Sequence, residues 1–142
     1  MIYTAGTKKA LKVCFEAHKD QVDKSGAPYV FHPFHLAEQM KDEKTTIVAL
    51  LHDVIEDTEY TFEDLRNMGF DNEVIEALML MTHSTDVPYM DYVAKIKHNP
   101  IAKAVKLADL QHNIDLSRLD VVDEKALKRK EKYSEAISLL TE

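Results

Sequence analysis

The chain has 142 residues, enough for one domain with a core of its own and too few for two. Hydrophobic residues make up 45% and charged residues 30%, the composition of a globular chain rather than a disordered one. A net charge of −7 argues against bulk attraction to nucleic acid or to an anionic membrane, so an anionic substrate would need a metal ion or a few basic side chains gathered locally. The lone cysteine, Cys14, has no partner for an internal disulfide and, between Val13 and Phe15, reads as core packing. The N-terminal MIYTAGTKKA lacks the apolar stretch of a signal peptide, and no apolar run approaches ~18 residues. No membrane span is expected, and an intracellular protein is the default.

Three glycines and four prolines, widely spaced, predict helices joined by short connections. A first helix is expected from about Thr4 to Asp23, with Leu11, Phe15, His18 and Val22 at helical spacing. KSGAPYVFHP (residues 24–33) then reads as a loop, and Pro33 suits the first position of a second helix, PFHLAEQM. Ile47, Leu50, Leu51, Val54 and Ile55 form an apolar stripe that predicts one helix over residues 45–57. TFED from Thr61 resembles a capping box for a short helix stopping at Gly69. Further helices are predicted over Glu73–Met81, over Tyr89–Lys97, from Pro100, and over residues 123–141. No alternating strand pattern appears. The expectation is an all-α, irregular multi-helix bundle forming a single domain over residues 1–142.

ALLHDVIEDT (residues 49–58) places four polar, ionisable side chains in an apolar run. At helical spacing His52 neighbours Glu56 and Asp53 neighbours Asp57, while Leu51, Val54 and Ile55 pack inward. Unpaired charge beside that stripe is costly, and a bound cation would resolve it. His32, between Pro28 and Pro33, and Asp109, in VKLADLQHN (residues 105–113), supply similar groups. Lys106, Asp109 and Asn113 share one helix face. His32, His52, Asp53 and Asp109 together would offer two nitrogens and two carboxylates, a set that suits Mn²⁺, Fe²⁺ or Zn²⁺ better than Ca²⁺ or Mg²⁺. Each pair alone has a plainer reading: His32 as a helix cap, Asp109 as a partner of Lys106. His18, His35, His83, His98 and His112 read as bystanders, although His35 and His112 sit one turn from proposed ligands and could replace one.

Taken in order, KSGAPYVFHP, ALLHDVIEDT and VKLADLQHN resemble the HD superfamily of metal-dependent phosphohydrolases. Within it, they are most similar to the hydrolase domain of RelA/SpoT enzymes and their small stand-alone relatives. The resemblance runs roughly from His18 to Tyr133. It implies an HD-type helical domain in which His32, His52, Asp53 and Asp109 bind one divalent ion, typically Mn²⁺, and Glu56 and Asp57 handle protons. It also implies removal of the 3′-pyrophosphate from guanosine tetra- or pentaphosphate, a small-molecule nucleotide. Lys24, Asn113 and Tyr133 fall where that family contacts its substrate. The chain departs from the family pattern at Asp23, which replaces an arginine, and at Leu110 and Leu116. Asp23 removes a guanidinium that would stack on a base and brings a negative charge, so tolerance of different bases is expected.

Two other functional classes remain open at this point. One keeps the metal but acts on another nucleotide or on a phosphomonoester. The other is a non-catalytic nucleotide-binding helical module, which the retention of both Glu56 and Asp57 disfavours.

Overall fold

A computed structural model describes residues 1–142. It contains no strand, and its helices are α1 (Ala5–His18), α2 (Phe31–Glu38), α3 (Glu43–Leu51), α4 (Val54–Asp57), α5 (Phe62–Asn67), α6 (Asn72–Met81), α7 (Tyr89–Ile96), α8 (Pro100–Asn113) and α9 (Glu124–Thr141). A short 3₁₀ turn, Leu116–Arg118, links α8 to α9. No helix is long and apolar enough to cross a membrane.

Local chemistry explains most helix starts. Thr4 and Thr7 form a reciprocal capping box at α1, as Thr61 and Asp64 do at α5. Asp42, Asn99 and Asp123 accept backbone N–H bonds at the starts of α3, α8 and α9, with Pro100 inside the first turn of α8. Gly69, at φ +89°, ends α5 in a conformation that favours glycine.

Helix α3 is the centre of the molecule. Every residue from Thr45 to Leu51 is buried, and α1, α2, α6 and α8 pack around it. A helix that is apolar on all sides belongs in a core. Leu36, Leu50, Leu51, Ile75, Leu78, Leu110 and Leu140 are among the fully buried side chains that join these helices. Cys14 lies in the same core, and burial pushes its thiol pKa up to about 12, so it is inert packing.

Three sequence expectations need correction. Helix α1 stops at His18, not near Asp23, because residues 21–29 fold back through their own backbone bonds, Asp23 N–H to Ala27 O at 2.8 Å and Tyr29 N–H to Gln21 O at 2.9 Å. Gly26, at φ +84°, makes that reversal possible. The buried face of α1 is Thr7, Ala10, Val13, Cys14 and His18, while Phe15 and Val22 stand 54% and 67% exposed. Helix α2 begins at Phe31, two residues before Pro33, which still lies in the first turn where its missing N–H is no loss. The single helix expected over residues 45–57 is broken at His52–Asp53, where Asp53 adopts φ −105°, ψ 0°. The break re-aims the two residues of the His-Asp pair.

Candidate active site

Three elements meet at the break. His32 comes from α2, His52 and Asp53 from the α3–α4 corner, and Asp109 from α8. His32, His52 and Asp109 are buried, and one donor atom of each lies within 4.8 Å of the others. Nε2 of His32 is 2.9 Å from Oδ1 of Asp109. Nε2 of His52 is 3.0 Å from Oδ2 of Asp53 and 3.6 Å from Oδ1 of Asp109. The Tyr29 hydroxyl donates to Oδ2 of Asp53, so Asp53 stands at the edge of the group of three.

This cluster fits a divalent cation. The Nδ1–H of His52 donates to the Ala49 carbonyl at 2.7 Å, which turns Nε2 toward the carboxylates. That Nε2 is buried and makes no directed hydrogen bond of its own. The 2.9 and 3.6 Å separations of the two histidine nitrogens from Asp109 Oδ1 are within the spread of neighbouring ligands on one ion with bonds of about 2.1 Å. The electrostatics agree. Burial works against a charged His52, but Asp53 and Asp109 outweigh it and hold its pKa well above the ordinary range. Burial likewise opposes ionised Asp109, but Lys106, His32 and His52 hold its carboxyl well below the ordinary range. The cluster attracts positive charge, and its mixed nitrogen and oxygen donors suit a divalent metal ion.

Asp53 and Asp109 also line a cleft of about 570 Å³, a volume typical of small-ligand sites. Glu56 and Asp57 line it as well. Glu56 Oε1 accepts the His83 backbone N–H at 2.5 Å, and Gln21 Nε2 donates to the Asp57 carbonyl at 3.1 Å. Burial, then Asp53 and Glu56, raise the Asp57 carboxyl pKa to about 6. Lys24, Asn113 and Tyr133 line the same cleft. Lys24 pairs with no carboxylate, whereas Asn113 Nδ2 donates to Asp109 Oδ1 at 3.0 Å and leaves its own carbonyl oxygen available. All nine candidate residues are thus in or directly against one cleft.

Several participants are absent from the candidate set. Lys106 Nζ binds Asp109 Oδ2 at 3.0 Å, the plainer reading of that pair, and does so without removing Oδ1 from the cluster. Tyr29 braces Asp53, and its proximity to His32 in sequence was the available signal. His112 is no bystander, because its Nδ1 lies 2.7 Å from Nδ1 of His32. His18 is buried with its ring centroid 5.1 Å from that of Tyr29. His35 packs on His112, while His98 is exposed.

Asp23 also differs from expectation. Its Oδ1 accepts Ser25 N–H, Ser25 Oγ–H and Ala27 N–H at 2.9, 2.8 and 3.0 Å, which pins the loop carrying Lys24. Its Oδ2 faces Arg118 at 3.7 Å. The carboxylate is therefore engaged rather than left to repel a ligand.

No family model matches the chain. It is 38% identical over 126 residues to a guanosine-3′,5′-bis(diphosphate) 3′-pyrophosphohydrolase of Spiroplasma citri, an alignment covering 75% of this chain and 16% of that protein. It is 31% identical over 122 residues to the bifunctional (p)ppGpp synthase/hydrolase SpoT of Escherichia coli K12, covering 75% of this chain and 17% of SpoT. The chain thus spans about a sixth of the length of these curated relatives. Its fold matches a solved metazoan ortholog of SpoT, described as hydrolysing ppGpp and acting in starvation responses, with a TM-score of 0.76 over 99% of this chain and 88% of that one at 24% identity. By sequence the chain is related to one segment of RelA/SpoT-type enzymes, and its fold is that of the solved SpoT ortholog.

Proposed function

We propose that the chain is a metal-dependent nucleotide (pyro)phosphohydrolase that removes the 3′-pyrophosphate from guanosine tetra- or pentaphosphate. The observation that carries this reading is the convergence of His32, His52 and Asp109, with a buried His52 Nε2 that faces carboxylates without a directed hydrogen bond, against a nucleotide-sized cleft. The names of the relatives support the substrate class.

In this reading residues 1–142 act as one HD-type domain inside the cell, and His32, His52, Asp53 and Asp109 hold one divalent ion, Mn²⁺ first, with Fe²⁺ or Zn²⁺ suiting the same donors. When bound, the ion supplies Lewis acidity at a phosphoryl oxygen and lowers the pKa of water. Tyr29 keeps Asp53 turned toward His52, and Lys106 balances the second oxygen of Asp109. Water adds to the phosphorus attached to O3′, the P–O3′ bond breaks, and O3′ takes a proton. A carboxyl that titrates near 6 both accepts and returns protons close to neutrality, which suits Asp57 to this transfer. Glu56, fixed by the His83 N–H through one oxygen, shares that work with the other. Lys24 meets phosphate, Asn113 offers its carbonyl oxygen to a sugar hydroxyl, and Tyr133 offers its ring and hydroxyl.

The test is product analysis with Mn²⁺-loaded protein and guanosine 3′,5′-bis(diphosphate). Equimolar nucleoside diphosphate and pyrophosphate are expected. Cleavage of simple phosphomonoesters without 3′-pyrophosphate release would assign a different phosphohydrolase activity, and binding without any hydrolysis would assign a binding module.

A further inference from the structure

We propose that Arg118 is the platform on which the substrate's nucleobase stacks, and that Asp23 holds it there. The proposal deepens the reading of the cleft as a nucleotide site and rests on it.

Besides Lys106, which is paired with Asp109, the cleft carries two kinds of cation. Lys24 and Arg129 line it without an ion pair to any carboxylate. Such charges suit phosphate, which supplies the missing negative partner. Arg118 lines the same cleft in a different state. Its Nη1 donates to the His112 carbonyl at 2.9 Å, and its Nη2 lies 3.7 Å from Asp23 Oδ2. Asp23 is itself immobilised through Oδ1 by Ser25 and Ala27. A guanidinium with its edge engaged and its charge partly balanced is a poor phosphate clamp. Its plane is pre-set, however, and a fixed guanidinium plane stacks well on an aromatic ring. Val22, Leu116 and Leu119 add apolar lining to the same cleft, the surroundings a base needs and a phosphate does not. Stacking of this kind is tolerant of base identity, because every base has a π face. The arrangement therefore recognises a base as such rather than guanine alone.

The experiment measures dissociation constants of the Mn²⁺-loaded full chain for GDP, ADP and inorganic pyrophosphate, the last having no base. Arg118→Ala and Arg118→Lys should each weaken GDP and ADP about tenfold or more while leaving pyrophosphate within twofold. Arg118→Gln, which keeps an N–H donor for the His112 carbonyl, serves as a further variant if the alanine protein unfolds. Equal weakening of all three ligands would show a purely structural or charge role and overturn the proposal. So would a lysine variant that binds like wild type, or no change in any variant. If wild type binds pyrophosphate but neither nucleotide, the nucleotide reading itself fails and takes this proposal with it. Nucleotide binding unaffected by Arg118 removes this proposal alone.

Discussion

Nδ1 of His32 and Nδ1 of His112 lie 2.7 Å apart, joining α2 to α8 across 80 residues of sequence. One proton bridges them, so one ring donates and the other accepts. His112 is held neutral, its pKa lowered to about 4 by burial, then by Arg118, His32 and His35. A neutral His112 accepts from His32 Nδ1–H whenever Nε2 of His32 serves as a metal ligand. His112→Ala should therefore weaken Mn²⁺ binding by about 10–100-fold while leaving the donor atoms in place. Titration calorimetry with Mn²⁺ checks this, and an unchanged affinity would remove His112 from the site.

Metal addition should stabilise the fold. At a free Mn²⁺ concentration about 100-fold above its dissociation constant the gain is about 2.7 kcal/mol. For a chain of this size that raises Tm by roughly 5–11 °C. Chelation should reverse the shift, and His52→Ala should abolish it, in a thermal melt read with and without the ion.

Replacing Glu56 and Asp57 together by Gln and Asn should leave metal content and helicity intact and reduce hydrolysis by about 10²–10⁴-fold. Neither side chain belongs to the buried donor group, and both face the cleft. Turnover within a few-fold of wild type would make them ordinary solvated residues at the end of α4.

The raised pKa of Asp57 also predicts a pH effect on stability. Its carboxyl titrates at about 6 in the fold, against about 3.9 in an unfolded chain. Between those values the folded protein holds a proton that the unfolded chain has lost, so this group lowers stability as pH rises through the window, and the loss persists above it. Asp57→Asn should then raise Tm of the metal-free protein at pH 7 and give no gain below about pH 4. The carboxyl is only half-buried, so solvent screening keeps the effect on the order of 1 kcal/mol, or about 2–4 °C. Paired melts at pH 4 and pH 7 decide it.

Asp23→Arg should not create a better base site. The substitution removes the acceptor for Ser25 and Ala27 and places a second guanidinium beside Arg118. Faster amide exchange across residues 22–28 and weaker nucleotide binding are expected. Unchanged exchange with a gained preference for guanosine would refute this account.

Much of the fold and the central motif was legible in the amino-acid sequence. Thr61 with Asp64, and Pro100, mark helix starts because a cap or a first-turn proline acts within one turn of the chain. The His-Asp pair followed by Glu56 and Asp57 stood out because ionisable groups inside an apolar run demand a partner. What tertiary structure alone decided is how those groups face one another. The local periodicity of residues 45–57 is helical throughout, yet the chain turns at His52–Asp53, where the wholly buried α3 gives way to the short α4 that borders the cleft. The contacts of Tyr29 with Asp53, His32 with His112, and Asp23 with Arg118 connect residues far apart in the chain. Neither propensity nor spacing encodes such pairs. They exist because α1, α2 and α8 pack on one buried helix, and close packing leaves each side chain few places to go.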